Sequence, residues 1–445
     1  MSGPSAGQRG ASMKNIFVLG LTEFQAGELE TVRGAEDYTF RPLLGYEELV
    51  KTEDIDFTGL LEKARTQLQS FDGTVDAIIS HWDFPTSVIG PILAREFGIS
   101  APSLESVLKC EHKYWSRLEQ QASIPECVPR FAAFDPFDDG ALAGIDVDFP
   151  FWVKPVKAHS SNLGFEIHNE EDFRRAIVEI REEIEQVGDA FNDVLAMVDL
   201  PDKLGDAGGN TCLAEHFVSG IQAAPEGSMF HGNYHVHGVF DMHKDEAETS
   251  FERLDYPADS IPESVQQRMI DLSERYLRHV GFDNGCFNAE FMWDEPQDQL
   301  WLIEVNTRIS QSHSDLFAKV DGSSNHEVAI DIALDIEPRM PDAKGTFDVA
   351  SQCMVFHDDD AIVTRVPDEA DIARLAQDIP GAELTVQVKV GDRLSEAPNQ
   401  DSYRYVVGIL YLGAADRAEL VEEYDAAVAS LPFEFDPVPA VATAS

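Results

Sequence analysis

The sequence predicts a mixed α/β and α+β protein assembled from several parts. Three observations carry that reading. Residues 14–98 alternate strand-like and helix-like runs, the pattern of a small parallel sheet with crossover helices. Residues 285–313 hold two alternating apolar runs, 287–293 and 300–305, around a polar connection, which read as an antiparallel pair. Beyond residue 345 strands and helices follow in a different order, as in a separate α+β module. A chain of 445 residues has room for two to four domains.

In order, KNIFVLG at 14–20 reads as a strand and 23–33 as a helix, then YTFRPLL at 38–44 as a strand and 56–70 as a helix. DAIISHWD at 76–83 is a third strand, and 87–97 a helix ending at Gly98. Ser80, His81 and Asp83 close that third strand, where open sheets bind ligands, although capping the next helix would serve them equally. No glycine-rich phosphate motif follows any of these strands. Residues 105–122 read as one polar helix carrying Lys109, His112, Lys113 and Arg117. FWVKPV at 151–156 is a buried strand whose Lys154 requires an anionic partner. AHSSNLGFEI at 158–167 reads as a small-residue loop returning as a strand, suited to covering phosphates or simply to turning. A charged helix over 170–187, an irregular insertion and a strand over 211–220 follow. Residues 229–243 hold His231, His235, His237 and His243, better suited to lining a pocket than to holding a metal. A helix at 262–280 precedes the hairpin. The last part has strands near 350–357, 361–365, 383–389 and 403–412, helices near 368–376 and 414–430, and a frayed tail at 433–445.

The hairpin carries the chemistry. Alternation puts Asn288 and Glu290 on one face of the first strand, and Glu304 and Asn306 on one face of the second. A symmetric hairpin sets Glu290 almost opposite Glu304. Two carboxylates ~5 Å apart repel by roughly 3 kcal/mol at an effective dielectric of about 20, so cross-strand like charges are normally avoided. A hard divalent cation held by two carboxylates, one amide oxygen and a substrate phosphate resolves the conflict, which fits magnesium. Arg308 is close enough in sequence to present a planar cation to phosphate or carboxylate. The bland reading is a solvated acidic hairpin face.

Composition excludes several classes. Thirty-three Lys and Arg against 81 Asp and Glu leave a net charge of −48, so neither nucleic acid nor an anionic membrane is an expected partner. At 43% hydrophobic residues the chain is folded, with its charge as a solvated skin. Such a skin suits a halophilic, cytoplasmic protein bathed in molar salt, where screening acts over about 3 Å. No run of 18 apolar residues predicts a membrane helix. Residues 1–12 read as a disordered lead rather than a signal peptide, with Met13 as an alternative start. Cys110, Cys127, Cys212, Cys286 and Cys353 lie far apart, as reduced thiols do. Only 12 of the 33 basic residues are lysines, and Lys109, Lys113, Lys154 and Lys157 fall within one short span, a hint of anionic ligands.

Five segments together resemble the ATP-grasp superfamily, in register over about 105–340. IEVNTRIS at 303–310 resembles its metal-binding strand and loop, close to the biotin-carboxylase form, and NAEF at 288–291 the preceding metal strand. VKP at 153–155 is similar to the nucleotide-binding lysine strand, LAEHFVSG at 213–220 to the adenine hinge, and EHKYWSRL at 111–118 to the earlier lysine helix. The resemblance implies an N-terminal α/β domain over 13–104, an ATP-grasp domain over 105–344 with a lid at about 125–215, and a C-terminal module over 345–432. It implies ATP and magnesium (or manganese) as cofactors. Lys113 and Lys154 would hold the phosphates, with Ser160 and Ser161 in the phosphate flap. Glu215 and the backbone of Phe217 and Val218 would bind adenine and ribose, with Gln222 beside them. Glu290, Glu304 and Asn306 would ligate the metal, and Arg308 would stabilise the transferred phosphoryl group or the acyl phosphate. The sequence departs from the family after the hinge, where Ile221 and Gln222 replace the usual Gly-x-Glu continuation. It also has Ser312 where biotin carboxylases carry an acidic residue. The function implied is a ligase joining a small-molecule carboxylate to an amine through an acyl phosphate, with a homodimer as the default assembly. The alternatives are a bicarbonate-using carboxylase and a non-catalytic ATP-binding protein.

Overall fold

The protein is described from a computed structural model covering residues 13–52, 55–158, 163–244, 251–340, 344–397 and 404–438. Strands β1 (Lys14–Leu19), β2 (Tyr38–Leu43) and β3 (Ala77–Ile79) form a parallel sheet in the order β2–β1–β3. Helices Glu23–Glu30, Phe57–Gln69 and Thr86–Phe97 pack on it. The first starts at a capping box in which Thr22 and Gln25 satisfy each other's backbone N–H groups. β3 stops four residues short of the expected end. After it, Trp82 donates its indole N–H to the Gly20 carbonyl at 2.9 Å, and the Asp83 carbonyl accepts from Thr86 N at 2.9 Å, turning the chain into the next helix.

The single helix expected over 105–122 is two, Leu104–Glu111 and Lys113–Ser123, broken at His112. His112 is buried and extended (ψ 99°), and its Nδ1 accepts from Trp115 N at 3.2 Å, capping the second helix. Lys113 N donates to the Val156 carbonyl at 3.0 Å, which ties this helix start to the lysine-bearing strand.

That strand belongs to a four-stranded antiparallel sheet made of β4 (Phe131–Phe134), β5 (Phe151–Pro155), β6 (Phe165–Ile167) and β7 (Cys212–His216), ordered β4–β7–β5–β6. Helix Glu170–Leu195 covers it, with Phe173, Ile177, Ile180 and Ile184 in a core of its own. This helix continues past the expected end at 187 because Phe191, Val194 and Leu195 prolong its buried face into the main core.

The central sheet holds eight strands. Its members are β8 (Ile221–Phe230), β9 (Asn233–Lys244), β10 (Phe251–Tyr256), β11 (Gly285–Asp294) and β12 (Gln299–Asn306), then β13 (Val349–His357). After β14 (Ala361–Arg365) come β15 (Glu383–Val386) and β16 (Tyr405–Ala414), and the order is β12–β11–β8–β9–β10–β13–β16–β15. β8 turns into β9 through His231 and Gly232, both at positive φ (48° and 78°), the geometry of a tight hairpin. Helix Glu263–Val280 covers the β8–β11 region, with Tyr276 and Leu277 fully buried.

Two expectations for the last part are corrected. Its strands are not separate: β13 pairs with β10 from Arg253↔Cys353 to Tyr256↔Ala350, so the central sheet runs on into it. It keeps its own apolar core around Leu375, Leu394 and Leu410. Nor is 433 onward only a tail, because β17 (Glu434–Pro437) pairs with β14, and Phe435 stacks on His357 with ring centres 4.0 Å apart. Truncation after residue 432 is therefore expected to lower Tm by several degrees relative to a chain ending at 438, because it removes β17. Thermal unfolding of the two shortened chains checks this.

Candidate active site

The β11–β12 hairpin sets the floor of the site. Its register places Glu290 opposite Glu304 and Asn288 opposite Asn306, as the alternation predicts. A bulge just after that pair shifts the register, so that Phe291 faces Leu302 and Ile303 is the extra residue. The carboxylates are not on a solvated face. Protein surrounds Glu304 on most sides, yet its side chain is 34% exposed, the signature of a cleft.

Burial and the neighbouring Glu304 charge both push the Glu290 carboxyl up. Glu304 goes the other way: burial would raise it, but Lys113 and Lys154 outweigh burial and hold it below the usual carboxylate range. The two carboxyls are thus driven apart, Glu290 toward its protonated form and Glu304 toward its ionised form. Glu290 Oε2 accepts from Gln222 Nε2 at 3.0 Å and Oε1 from Asn306 Nδ2 at 3.1 Å. Asn288 Nδ2, on the same face, is buried with no partner among the described residues.

Cations line the opposite wall. Lys113 Nζ lies 3.5 Å from Glu304 Oε2. Lys154 pairs with Glu215, whose other oxygen takes Arg117 Nε at 2.6 Å. Burial would raise Glu215, but Arg117 and Lys154 bring it down to about 2. Lys157 pairs with Glu111 at 2.8 Å, and Glu111 also accepts from Thr307 Oγ1 at 3.1 Å. Arg308 gives Nε and Nη2 to Asp83 Oδ1 at 2.8 and 2.7 Å. Burial would raise Asp83 as well, but Arg308, then Lys157, hold it low and ionised.

The structure thus gathers Lys113, Lys154, Glu215, Glu290, Glu304, Asn306 and Arg308 around one cleft. Two placements differ from expectation. Glu215 is buried between Arg117 and Lys154, so it supplies the anion Lys154 requires instead of an open contact for adenine or ribose. Gln222 bonds Glu290, placing it at the carboxylate floor. Phe217 and Val218 follow β7 half-buried, without main-chain hydrogen bonds among the described residues. Gly220, at φ +147°, leaves that segment where a Cβ would come within 2.2 Å of the Trp293 carbonyl, so only glycine brings it this close to β11. Ser160 and Ser161 lie outside the described residues. The histidines take separate partners, His237 with Ser228 at 3.0 Å and His231 with Asp335 at 2.8 Å. Lys109 pairs with Glu105 at 2.6 Å.

Sequence reasoning missed Glu111, Arg117 and Glu226 as members of the site. Glu226 on β8 accepts from His313 Nδ1 at 2.6 Å, Asn325 Nδ2 at 2.6 Å and Ser310 N at 3.2 Å, which fixes the loop carrying Arg308. These partners are 84 to 99 residues away, and no local pattern announces them.

The donor set fits a divalent cation. Among the described residues no group of three or more His, Cys, Asp or Glu is placed to hold a metal. Two carboxylates and an amide form the set, the sparse oxygen-rich kind that magnesium completes with water and phosphate. A half-turn of the Asn306 amide exchanges Nδ2 for Oδ1, and the Glu304 repulsion that adds to burial in pushing Glu290 up is what a cation would relieve.

Residues 147–314 match the family model described as the ATP-grasp domain. A stretch of 78 residues is 36% identical to the carbamoyl phosphate synthase large chain of Mycobacterium tuberculosis, covering 18% of this chain and only 7% of that protein. The fold is similar to that of an L-amino acid ligase from Bacillus licheniformis, with a TM-score of 0.70 and 15% identity over 95% of this chain and 99% of that one. It is also similar to a biotin carboxylase from Campylobacter jejuni, with a TM-score of 0.62 and 14% identity over 97% and 94% of the two chains. The chain therefore has the ATP-grasp fold, and residues 147–314 are similar to the ATP-grasp domain.

The raised Glu290 carboxyl has a measurable consequence. The native state keeps a proton that the unfolded chain sheds above about pH 4.3, so stability falls as pH rises through and beyond that value. Glu290→Gln removes this loss. In EDTA its Tm relative to wild type should rise between pH 5 and pH 8.5, and a difference independent of pH would contradict the assignment.

Proposed function

We propose that this chain, with its ATP-grasp fold, is an ATP-dependent ligase that activates a carboxylic acid as an acyl phosphate. It then couples the acyl group to an amine such as an amino acid, releasing ADP and phosphate. The observation that carries the proposal is the facing pair Glu290 and Glu304 on adjacent strands, with Lys113, Lys154 and Arg308 around the same cleft. The resemblance in fold to an L-amino acid ligase supports the amine-coupling form.

A carboxylate does not react with an amine at neutral pH. In the first step a carboxylate oxygen attacks the γ-phosphorus of ATP, the bond to the β-phosphate oxygen breaks, and ADP leaves. In the second the amine nitrogen attacks the acyl carbon, phosphate leaves, and the amine loses a proton. Magnesium, held by Glu290, Glu304 and Asn306 with the nucleotide phosphates, would neutralise phosphate charge as a Lewis acid.

Every other contribution comes from the chain. Lys113 and Lys154 lie near enough to the carboxylate floor to bind phosphate oxygens beside it. Phe217 and Val218 offer main-chain groups to a base at the hinge. Arg308, always charged, presents a planar fork for the transferred phosphoryl group or the acid. Thr307 and Glu111 hold the hairpin end against Lys157. No dedicated nucleophile is needed: the buried Cys110, Cys127, Cys212, Cys286 and Cys353 have thiols that burial pushes up, and all lack thiolate character.

Among the described residues no helix is long and apolar enough to cross a membrane. For a chain of net charge −48 we propose a cytoplasmic, salt-rich setting, and assays belong in concentrated potassium chloride.

ADP release should require an acid and an amine together. Glu304→Ala should lower it by about a hundredfold or more, the scale of losing a major electrostatic stabiliser. An unchanged rate sinks the assigned site. ADP release driven by bicarbonate with biotin, and by no acid–amine pair, replaces the ligase with a carboxylase.

A further inference from the structure

The carboxyl edge of the N-terminal parallel sheet ends against Arg308, and open α/β sheets bind small molecules at that edge. β3 leads there into His81, Trp82 and Asp83. The Trp82 indole bonds the Gly20 carbonyl and packs on Tyr46 with ring centres 4.9 Å apart. The Asp83 carbonyl accepts from Thr86 N at 2.9 Å and from Thr86 Oγ1 at 2.8 Å. The backbone around Asp83 is thus fixed from both sides.

The pairing between Asp83 and Arg308 is lopsided. Both guanidinium bonds go to Oδ1, and Oδ2 has no hydrogen-bond partner among the described residues. Arg308 is 14% exposed while the Asp83 side chain is 52% exposed, so the carboxylate is the half of the pair that faces the open cleft. The other carboxylates there already have occupants, since Glu215 holds two cations, Glu111 holds Lys157 and Thr307, and Glu304 faces Lys113. Asp83 and Glu304 each lend one oxygen to a cation and leave the other without a hydrogen-bond partner among the described residues, and Asp83 is the more exposed of the two, at 52% against 34%.

We propose that Asp83 is a specificity-determining residue that, with Arg308, selects an acid bearing an ammonium group on the same carbon as its carboxylate. The guanidinium takes the carboxylate and Oδ2 of Asp83 takes the ammonium, so the activated acid is an α-amino acid. This inference rests on the ligase reading above and names its acid.

Two arguments support the assignment. A simple carboxylate entering this corner meets Asp83 as well as Arg308, so its attraction to the arginine is largely cancelled. A zwitterion meets each charge with its opposite. The second argument is chemical. An α-amino acid activated at its carboxyl carries an amine of its own that could attack another acyl phosphate. Held as an ammonium on a carboxylate, that nitrogen has no free lone pair, and only the separately bound amine reacts.

The test uses the full chain in concentrated potassium chloride, with the twenty proteinogenic amino acids and their des-amino counterparts as probes. ADP release with MgATP and an amine panel gives kcat and KM. Calorimetric binding with a non-hydrolysable ATP analogue gives affinity without turnover. Wild type should favour at least one amino acid over its des-amino counterpart by about tenfold or more in kcat/KM, the scale of one charge-assisted hydrogen bond. Asp83→Asn should raise KM for that amino acid by a similar factor, leave KM for ATP unchanged and largely erase the preference. If wild type does not discriminate, or if Asp83→Asn lowers kcat with KM for both acids unchanged, Asp83 only braces Arg308 and the inference is overturned. ADP release with des-amino acids alone sinks the inference and leaves the ligase reading standing. Neither ADP release nor analogue-dependent binding with any acid sinks both.

Discussion

Glu290 and Glu304, held face to face on adjacent strands, are the contact on which the rest of the cleft depends. Like charges in that position destabilise a sheet, and burial makes the conflict worse by removing solvent that would screen it. The fold answers by pushing the Glu290 carboxyl up toward its neutral form and setting Lys113 and Lys154 near Glu304. It then closes each remaining charge locally: Lys154 and Arg117 on Glu215, Lys157 on Glu111, Arg308 on Asp83. A buried ion pair contributes little net stability, whereas a buried charge without a partner is strongly unfavourable. The pairs therefore keep the ligand-free cleft folded without making it rigidly self-satisfied.

The groups come from four places in the fold. Asp83 comes from the edge of the N-terminal sheet, Glu111, Lys113 and Arg117 from the broken helix pair, Lys154, Lys157 and Glu215 from the four-stranded sheet and its margin, and Glu290, Glu304 and Arg308 from the central sheet. The break at His112 matters because it lets Glu111 and Lys113, two residues apart, both reach this site, on Lys157 and Glu304. An unbroken helix would point residues at that spacing to different sides of one cylinder.

What the sequence made legible was local. The hairpin and its facing carboxylates follow from alternation across a short connection, and the bulge did not disturb the pair because it lies beyond it. The need of Lys154 for an anion was legible too, since a lysine in an apolar strand demands one. That the anion is Glu215 was not, because Arg117, 98 residues away, joins it there. The helix over 105–122 read as continuous because nothing in helical periodicity distinguishes a histidine on the helix from one that caps it. Likewise, the joining of the last part to the central sheet depends on groups such as Ser351 and Asp255, 96 residues apart.

The division of charge between cores has a mechanical consequence. Glu226 anchors the Arg308 loop from β8, the strand beside β11, so Arg308 and the two carboxylates move with one sheet. Lys154 stands on β5, whose sheet and covering helix have a separate apolar core. Its only bonded link among the described groups is Glu215, on β7 of that same sheet. The lysine and its counter-ion thus travel together, and Arg117 alone ties that carboxylate to the helix whose Nη1 reaches the Leu302 carbonyl at 2.8 Å on β12. The covering helix also buries Phe191, Val194 and Leu195 in the main core, so the cationic wall is packed against the body that carries the anionic floor. The polar links between wall and floor are the Lys113 N bond to the Val156 carbonyl, the Lys157–Glu111 pair with Thr307, and a buried guanidinium shared between Glu215 on one side and the β12 backbone on the other.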